Sequence, residues 1–398
     1  MIDFLSLNEG DTVYFFRNSI DEFLISKNNN NSSLVSSKID KCSILVPEEI
    51  SNIISDKKQE MIFTLDKKSC SIRVQEDNWK SNNILYFEKY YEPKRLYKHN
   101  TLKEPLKLGE VGQCRFCKKK LGEVTFDKKA HAVSQLLGNN FLLSNDECDV
   151  CNQLFSNYES ELGHYLHFWR SAALLDGKRG VPKFKEDTFK MGKSKTGKLL
   201  IKEQIDKESK LQFDEENKAI TITGIQKSYI PHSVYKALVK MAISFVEEEE
   251  LHLYSETIEW LLDSTNTIRP NSRLIMWEQF ISHPNPYPEP EILQFTRLEE
   301  NESSVYNRIF IIAFSNYVFQ IYIPLCSLDK RIEFSKVQFL AFPSNYTAIL
   351  PLNRISIDLK DFSDTERKRG EKISIEYSYD EKIEINPSNL NTSDSEFS

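Results

Sequence analysis

The sequence CRFC at 114–117 and the sequence CDVC at 148–151 place two Cys-x-x-Cys pairs around a spacer of thirty residues. Two such pairs can bring four thiolates to one point, which matches the tetrahedral, sulfur-rich site that Zn²⁺ prefers. A zinc ion bound in this way ties a short, loop-rich segment into one fold. The spacing therefore predicts a structural zinc site. Its four ligands are Cys114, Cys117, Cys148 and Cys151.

The residues around the cysteine pairs predict the order strand, strand, helix. The run 122–126 is typical of a strand, and 131–133 of the end of a hairpin. From 150 to 166 apolar residues recur at three- and four-residue spacing, which indicates a helix.

The composition predicts a globular chain with more than one core. At 398 residues the chain is too long for a single ordinary core, and 40% hydrophobic residues are enough to build several. No apolar run approaches the ~20 residues that span a bilayer, and the first residues lack the features of a secretion signal. We therefore expect a cytoplasmic protein without a membrane partner. In that compartment Cys42, Cys70 and Cys326 are expected to be free thiols.

The pattern along the chain predicts an α+β multidomain protein with the cysteine module at its centre. Strands are expected at 12–16, 42–46 and 61–65, an amphipathic helix at 234–246, and one long strand or a tight pair at 309–323. The predicted parts are a mixed, β-rich domain at 1–95, the cysteine module at 96–176, a basic linker or hairpin at 177–217, an α+β domain with a regulatory or targeting role at 218–362, and a charged, partly disordered tail at 363–398.

Charge is distributed unevenly along the chain. The net charge of −7 argues against a protein that coats nucleic acid. However, 95–129 holds ten basic residues against four acids, and 168–210 holds twelve against six. A basic zone around the cysteine module would let phosphates approach there. Solvated lysine-rich loops would give the same pattern.

A run at 192–198 has the Gly-x-x-x-x-Gly-Lys spacing of a phosphate-binding loop. Leu199 follows, where a Ser or Thr is needed for Mg²⁺, and no apolar strand precedes it. We therefore predict a basic hairpin or loop.

Between and beside the cysteine pairs stand Ala130-His131, Leu137-Gly138-Asn139, Asn145 and Asn152. With the pairs, these residues make the segment from about 112 to 166 resemble the zinc-containing HNH endonucleases, whose nuclease core is a ββα-metal finger. The rest of the chain resembles no family that we can name.

The resemblance implies roles for three residues. His131 matches the general base, which takes a proton from the attacking water. Asn145 matches the central Asn, whose amide holds the hairpin so that the His ring points at the scissile phosphate. Asn152 matches the last position of the motif and would bind the catalytic divalent metal. Because an amide oxygen is a harder ligand than an imidazole, Asn152 favours Mg²⁺ or Mn²⁺.

The residue before the base is Ala130, where many family members carry a second metal ligand. Three acids are candidates to replace it. Glu159 shares a helix face with Asn152 but on a regular helix is too far for a direct ligand, so a water would have to bridge it to the metal. Glu147 and Asp149 lie near the second cysteine pair and are closer in sequence. The sequence does not choose among them.

The resemblance implies a hydrolase that cuts DNA, with RNA left open as a substrate. By analogy it also implies a gated effector of bacterial antiviral defence or restriction, and so an activating partner or a homo-oligomer. Two alternatives stay open. One is a non-catalytic, zinc-stabilised module that binds nucleic acid, and the other is an interaction scaffold that acts through its C-terminal region.

Three further side chains have two interpretations each. His164 and His167 have the spacing of a metal-binding pair, but a polar helix face is the commoner explanation. Trp169 could stack on a base or close a helix against the core, and the second is more common.

Overall fold

The computed structural model describes strands at 12–17, 23–27, 61–66 and 69–74, and then residues 79–97, 104–178, 180–186, 189–203, 209–216, 218–283, 285–298, 304–332, 337–344, 346 and 355–378. It contains several β-sheets and few helices, which confirms the predicted α+β class. None of the helices in these ranges is long and apolar enough to cross a membrane.

Four strands near the N-terminus form one antiparallel sheet. They are β1 (Thr12–Arg17), β2 (Phe23–Lys27), β3 (Met61–Asp66) and β4 (Ser69–Val74). Their order in the sheet is β2-β1-β3-β4. The strands predicted at 12–16 and 61–65 are thus confirmed, whereas the run 42–46 lies outside the described residues.

The middle of the chain alternates short strands with three helices. In chain order these elements are α1 (Trp79–Tyr90), β5 (Tyr91–Tyr97), β6 (Leu106–Leu108), β7 (Ala130–His131), β8 (Leu142–Ser144), α2 (Asp149–Tyr165) and α3 (His167–Ala172). β7 and β8 are antiparallel, and β6 joins β8 in parallel. The predicted hairpin end and the predicted helix match β7 and α2. The run 122–126 is not a regular strand, because Val124 forms only an isolated bridge to Leu121.

Two small sheets contain the next strands. These are β9 (Phe184–Lys185), β10 (Phe189–Lys193), β11 (Leu199–Glu203), β12 (Leu211–Asp214) and β13 (Ala219–Ile225). β10 and β11 pair as a hairpin, so the run 192–198 turns between two strands and does not open a helix. A phosphate-binding loop leads into a helix, and the predicted basic hairpin is therefore confirmed there.

Within its described residues, the C-terminal half adds two α-helices and six strands. They are α4 (Pro231–Ser244), α5 (Ser255–Leu262), β14 (Ile275–Ile281), β15 (Tyr287–Arg297), β16 (Arg308–Ser315), β17 (Tyr317–Tyr322), β18 (Ile355–Asp361) and β19 (Lys372–Ser378). Five of these strands and β5 form a six-stranded sheet in the order β18-β14-β17-β16-β15-β5. β19 pairs with β13 instead. A strand therefore lies within the tail that we predicted to be partly disordered, and 379–398 lie outside the described residues.

Strand β16 is buried along its whole length. Phe310 and Ile312 enter one hydrophobic core, and Ile309 and Ile311 enter another. Because successive side chains of a strand point to opposite faces, each face of the sheet carries its own core. The apolar run at 309–323 is the tight pair β16 and β17, which turns at Ser315 with φ +48°.

Helix α4 is buried on every side, although its sequence predicted an amphipathic helix. It packs against α2, and the core around it includes Phe155 of α2, Leu238 of α4 and Phe310 of β16. The core is therefore continuous across the domain boundary that we predicted at 217. Strand β5, from the other side of the cysteine module, belongs to the C-terminal sheet.

Candidate functional site

The four cysteines come together at the start of α2. Their Sγ atoms all lie within 4.8 Å of one another, and Cys117 Sγ is 3.7 Å from Cys148 Sγ. Four sulfurs bound to a tetrahedral Zn²⁺ at ~2.3 Å would be about 3.8 Å apart. The cluster therefore has the size of a zinc site and can bind a metal such as zinc.

The backbone around the cluster favours an ionised thiol. The pKa of Cys114 is lowered to about 4, first because the Cys151 thiol donates to it and further because backbone N–H groups do. One of these is the N–H of Cys148, at 3.5 Å from Cys114 Sγ. Lys118 adopts φ +57° in the turn that brings Cys117 beside Cys114. Since a metal-binding cysteine must be a thiolate, this donor set fits a metal ligand.

The loop between β7 and β8 is held by Asn139, which is 2% exposed. Its Nδ2 donates to the carbonyl oxygens of Val133 and Leu142, at 2.6 and 2.9 Å. Its Oδ1 accepts the N–H groups of Phe141 and Leu142. One amide thus joins the two ends of the loop that follows His131.

We predicted this bracing role for Asn145, and the structure gives it to Asn139. Asn145 follows the last residue of β8, and its N–H donates to the Leu108 carbonyl at 2.8 Å. It lines a separate cleft of about 590 Å³, together with Lys107 and Glu147. Asn145 lies beyond the strand that closes the loop, and the hydrogen bonds that join the loop ends come from Asn139. The sequence feature that could have indicated Asn139 is that it directly follows Gly138, since such a pair is typical of tight turns.

His131 and Asn152 line one cleft of about 610 Å³. His131 comes from β7, and Asn152 from the first turn of α2. Glu159, two turns further along α2, lines the same cleft. Ser134 Oγ donates to Glu159 Oε2 at 2.5 Å, which connects this carboxylate to the loop after β7. The structure thus brings together two of the three residues predicted for catalysis and adds Glu159.

Glu159 is the one candidate acid of the three that faces this cleft. The Asp149 carboxylate instead accepts the N–H of Lys128, at 2.9 Å, and the hydroxyl of Thr125. Glu147 is 1% exposed and lines the cleft that contains Asn145. Of the three acids, Glu159 therefore lines the cleft of Asn152, seven residues further along the regular helix α2 and so about 10 Å along its axis.

The remaining charged side chains of this cleft are basic. They are Lys128, Lys129, Arg170 and Lys178. Burial lowers the pKa of Arg170, and its Nε has no hydrogen-bond partner. Gly177 passes so close that a Cβ there would lie 2.5 Å from Arg170 Nη2. We call this region the basic cleft.

His131 is uncharged at neutral pH. Its pKa is lowered to about 4, first by burial and then by the positive charges of Lys129, Lys240 and Lys178. Its Nδ1 is buried without a hydrogen-bond partner. A neutral imidazole can accept a proton, which is the state that a general base requires.

His164 and His167 belong to no group of three or more potential metal ligands in the described residues. His164 Nδ1 lies 3.7 Å from Glu161 Oε2, and the helix is interrupted before His167. Across the described ranges, the four cysteines are the only group of three or more His, Cys, Asp or Glu side chains placed to hold a metal. Trp169 is 3% exposed, so it belongs to the core, as predicted.

A scan against protein-family models, a search of the curated proteins and a search of the solved structures each found no match for this chain. A function for it can therefore be argued only from its own residues and their geometry.

Proposed function

We propose that this chain is an HNH-type endonuclease that hydrolyses phosphodiester bonds of DNA in a metal-dependent reaction. The observation that carries the proposal is that His131, Asn152 and Glu159 line one cleft whose other charged residues are basic. The order of β7, β8 and α2, with the cysteine cluster beside them, supports the proposal of a ββα-metal finger stabilised by zinc. The four thiolates would close the coordination of that zinc, which makes it structural.

The basic cleft suits a phosphate backbone. Lysines and arginines supply most contacts to phosphate in nucleic-acid complexes. Arg170 suits such a contact, because burial lowers the pKa of its guanidinium, with Asp176 acting against this shift, and its Nε lacks a hydrogen-bond acceptor. A phosphate oxygen would satisfy this guanidinium by charge-assisted hydrogen bonds.

The oxygen donors of the cleft fit Mg²⁺ or Mn²⁺. Asn152 offers an amide oxygen and Glu159 a carboxylate, both of which are hard ligands. A divalent ion held there would supply the positive charge that stabilises the leaving oxygen. Because Glu159 lies about 10 Å along the axis of α2 from Asn152, it would reach an ion on Asn152 through a water, and further waters would complete the coordination, as is usual for Mg²⁺.

His131 would act as the general base. Its neutral ring can take the proton from a water that attacks the phosphorus. Burial keeps its pKa low in the free protein, and the charges of Lys129, Lys240 and Lys178 lower it further. A bound phosphate would offset those charges, so His131 becomes a stronger base when the substrate is present. Asn139 would hold the loop that follows it.

The test is cleavage of supercoiled plasmid by the purified protein with Mg²⁺, Mn²⁺ or neither. His131→Ala removes the base, and His252→Ala is a matched control, because His252 is exposed. We expect nicking by the wild type and by His252→Ala with a metal, and a loss of about 10²- to 10⁴-fold in His131→Ala. Equal cleavage by His131→Ala and the wild type would contradict the proposal. A parallel assay with single-stranded RNA defines the substrate.

A second candidate is a zinc-stabilised module that binds nucleic acid without cutting it. Two observations favour it. Ala130 supplies no metal ligand, and Glu159 already accepts a hydrogen bond from Ser134. Binding of DNA by wild type and His131→Ala alike, with no cleavage in any metal, would support this candidate. The idea of a gated defence effector, activated by a partner or by self-association, extends the nuclease proposal. It does not apply to the second candidate.

A further inference from the structure

The ammonium of Lys240 lies where three groups of the proposed site meet. Lys240 is on α4 and is 1% exposed. Its Nζ donates to the backbone oxygen of His131 at 2.7 Å and lies 2.8 Å from Glu147 Oε2 and 4.0 Å from Glu159 Oε1. One side chain of the C-terminal half thus contacts the strand that carries His131 and approaches the carboxylate of Glu159.

Strand β7 depends on such a contact because it is short. It has two residues, which pair with β8 as Ala130 with Ser144 and His131 with Leu143. A pair of this length makes few ladder hydrogen bonds. A charge-assisted hydrogen bond is about twice as strong as a neutral one. The bond from Lys240 is therefore a major restraint on the backbone of His131.

A neighbouring carboxyl group compensates the charge of the buried Lys240 ammonium. Burying a charge is costly unless partners surround it. Glu147 supplies the acidic partner, with its Oε2 at 2.8 Å from Lys240 Nζ. Lys240 and Glu147 therefore hold each other in place, while the same ammonium donates to the His131 carbonyl and lies 4.0 Å from Glu159 Oε1.

We propose that Lys240 is a positioning residue, which sets the position of His131 relative to Glu159 and ties the basic cleft to the placement of α4. The inference rests on the proposed nuclease function. It also explains how the C-terminal half can affect the cleft, because a shift of α4 moves the ammonium that donates to the His131 carbonyl and lies 4.0 Å from Glu159.

Lys236 provides a matched control on the same helix, one turn before Lys240. It is fully buried, and its Nζ donates to the Asp263 carbonyl at 2.6 Å and to Asn266 Oδ1 at 3.2 Å. These partners lie in the loop after α5. Lys236→Met therefore removes a buried ammonium from α4 without removing a contact to His131 or Glu159.

The first experiment compares Lys240→Met, Lys236→Met and the double variant Lys240→Met/Glu147→Gln in thermal unfolding and in cleavage kinetics. The double variant leaves no unpaired buried charge and keeps the comparison valid if Lys240→Met folds poorly. We expect both single variants to lower the melting temperature. Only the variants that lack Lys240 should lose kcat, by about 10- to 100-fold, with KM nearly unchanged, because a small misplacement of the base affects the chemical step.

The second experiment follows the ring signals of His131 by NMR, assigned with His131→Gln, and does not depend on activity. The signals should move when Lys240 is replaced and stay in place in Lys236→Met. Equal effects of the Lys240 and Lys236 variants on kcat and on the signals, or no effect of Lys240→Met, would overturn the inference. A wild type that cleaves nothing would contradict the proposed function, and the NMR comparison would still decide the role of Lys240.

Discussion

Arg170 is the residue of the basic cleft whose surroundings best suit a bound anion. Its guanidinium is largely buried in a cleft with three lysines, and its Nε has no acceptor. A desolvated cation without full compensation destabilises the free protein and gains most when an anion arrives. We therefore assign Arg170 the main contact to the phosphate of the substrate.

This assignment predicts that Gly177→Ala weakens DNA binding, although it changes no charge. The added Cβ would lie 2.5 Å from Arg170 Nη2, so the flexible guanidinium has to move. Arg170→Met should weaken binding further and reduce the dependence of log K on log salt by about one unit. Fluorescence anisotropy with a short duplex at several salt concentrations measures both effects.

Gly163→Ala is the control for this pair. Gly163 lines the same cleft, but a Cβ there would meet only Leu136, at an ordinary 3.6 Å. Its affinity should equal that of the wild type. If Gly163→Ala and Gly177→Ala weaken binding equally, the effect does not pass through Arg170.

The bracing asparagine illustrates what a residue pattern leaves undecided. The loop region offers Asn139 and Asn145, which have the same chemistry. The resemblance pointed to Asn145, because it stands just before the second cysteine pair. Which of them braces the loop depends on where β8 ends, and strands of three residues are poorly determined by local sequence. The side-chain hydrogen bonds of Asn139 resolved the choice.

At the scale of elements, the cysteine cluster compensates for short secondary structure. β6, β7 and β8 have three, two and three residues. Such strands are unstable without further support. The cluster fixes the start of α2 beside this sheet, which is how a metal would hold together elements that barely pack by themselves.

We therefore expect one zinc ion per chain and a large loss of stability when it is removed. Cys148→Ser, or a strong chelator, should abolish the zinc signal in elemental analysis and lower the melting temperature of the whole chain. Cys326→Ala is the control. Cys326 is buried, and burial raises its pKa to about 12, but it lies outside the cluster. A wild type without zinc, or unchanged stability in Cys148→Ser, would contradict the prediction.

At the scale of the whole molecule, one core joins the cysteine module to the C-terminal half. The same core includes Phe155, Leu238 and Phe310, from α2, α4 and β16. Disturbances in one part therefore reach the other. Tests of the site should use the full chain for this reason.

Buried histidines should make this shared core sensitive to acid. The pKa values of His131, His167 and His232 are each lowered to about 4, with burial as the first cause. Between about pH 6.5 and 4 the unfolded chain therefore binds more protons than the folded one. The contribution of these histidines to the free energy of unfolding is complete above about pH 6.5 and is lost as the pH falls through 4.

His232→Gln tests this sign. His232 is 2% exposed, and its Nε2 accepts the indole N–H of Trp260, which a glutamine oxygen can also do. From pH 7 to 4.5 the free energy of unfolding of the variant should fall by about 2 kcal/mol less than that of the wild type. Urea denaturation at several pH values measures this difference. Parallel curves would show that His232 is already accessible to protons.

The comparison with the wild type is needed because two acids act in the opposite direction. Burial raises the pKa of Glu147 to about 7 and that of Asp329 to about 6. Their contributions are complete below the unfolded pKa and are lost as the pH rises through these values. Only the difference between His232→Gln and the wild type isolates the contribution of His232 to the pH dependence of stability.

The sequence by itself determined the cysteine cluster, the helix after it, the basic hairpin and the buried strands β16 and β17. Each depends on short-range spacing or on continuous apolar character, which the chain carries locally. Only the tertiary structure decided that Glu159 faces the cleft of His131 and that Asn139 braces the loop. It also decided that Lys240 donates to the His131 carbonyl and approaches Glu159. The physical reason is that these contacts join residues far apart in the chain. Lys240 and His131 are 109 positions apart, and packing of α4 against α2 brings them together.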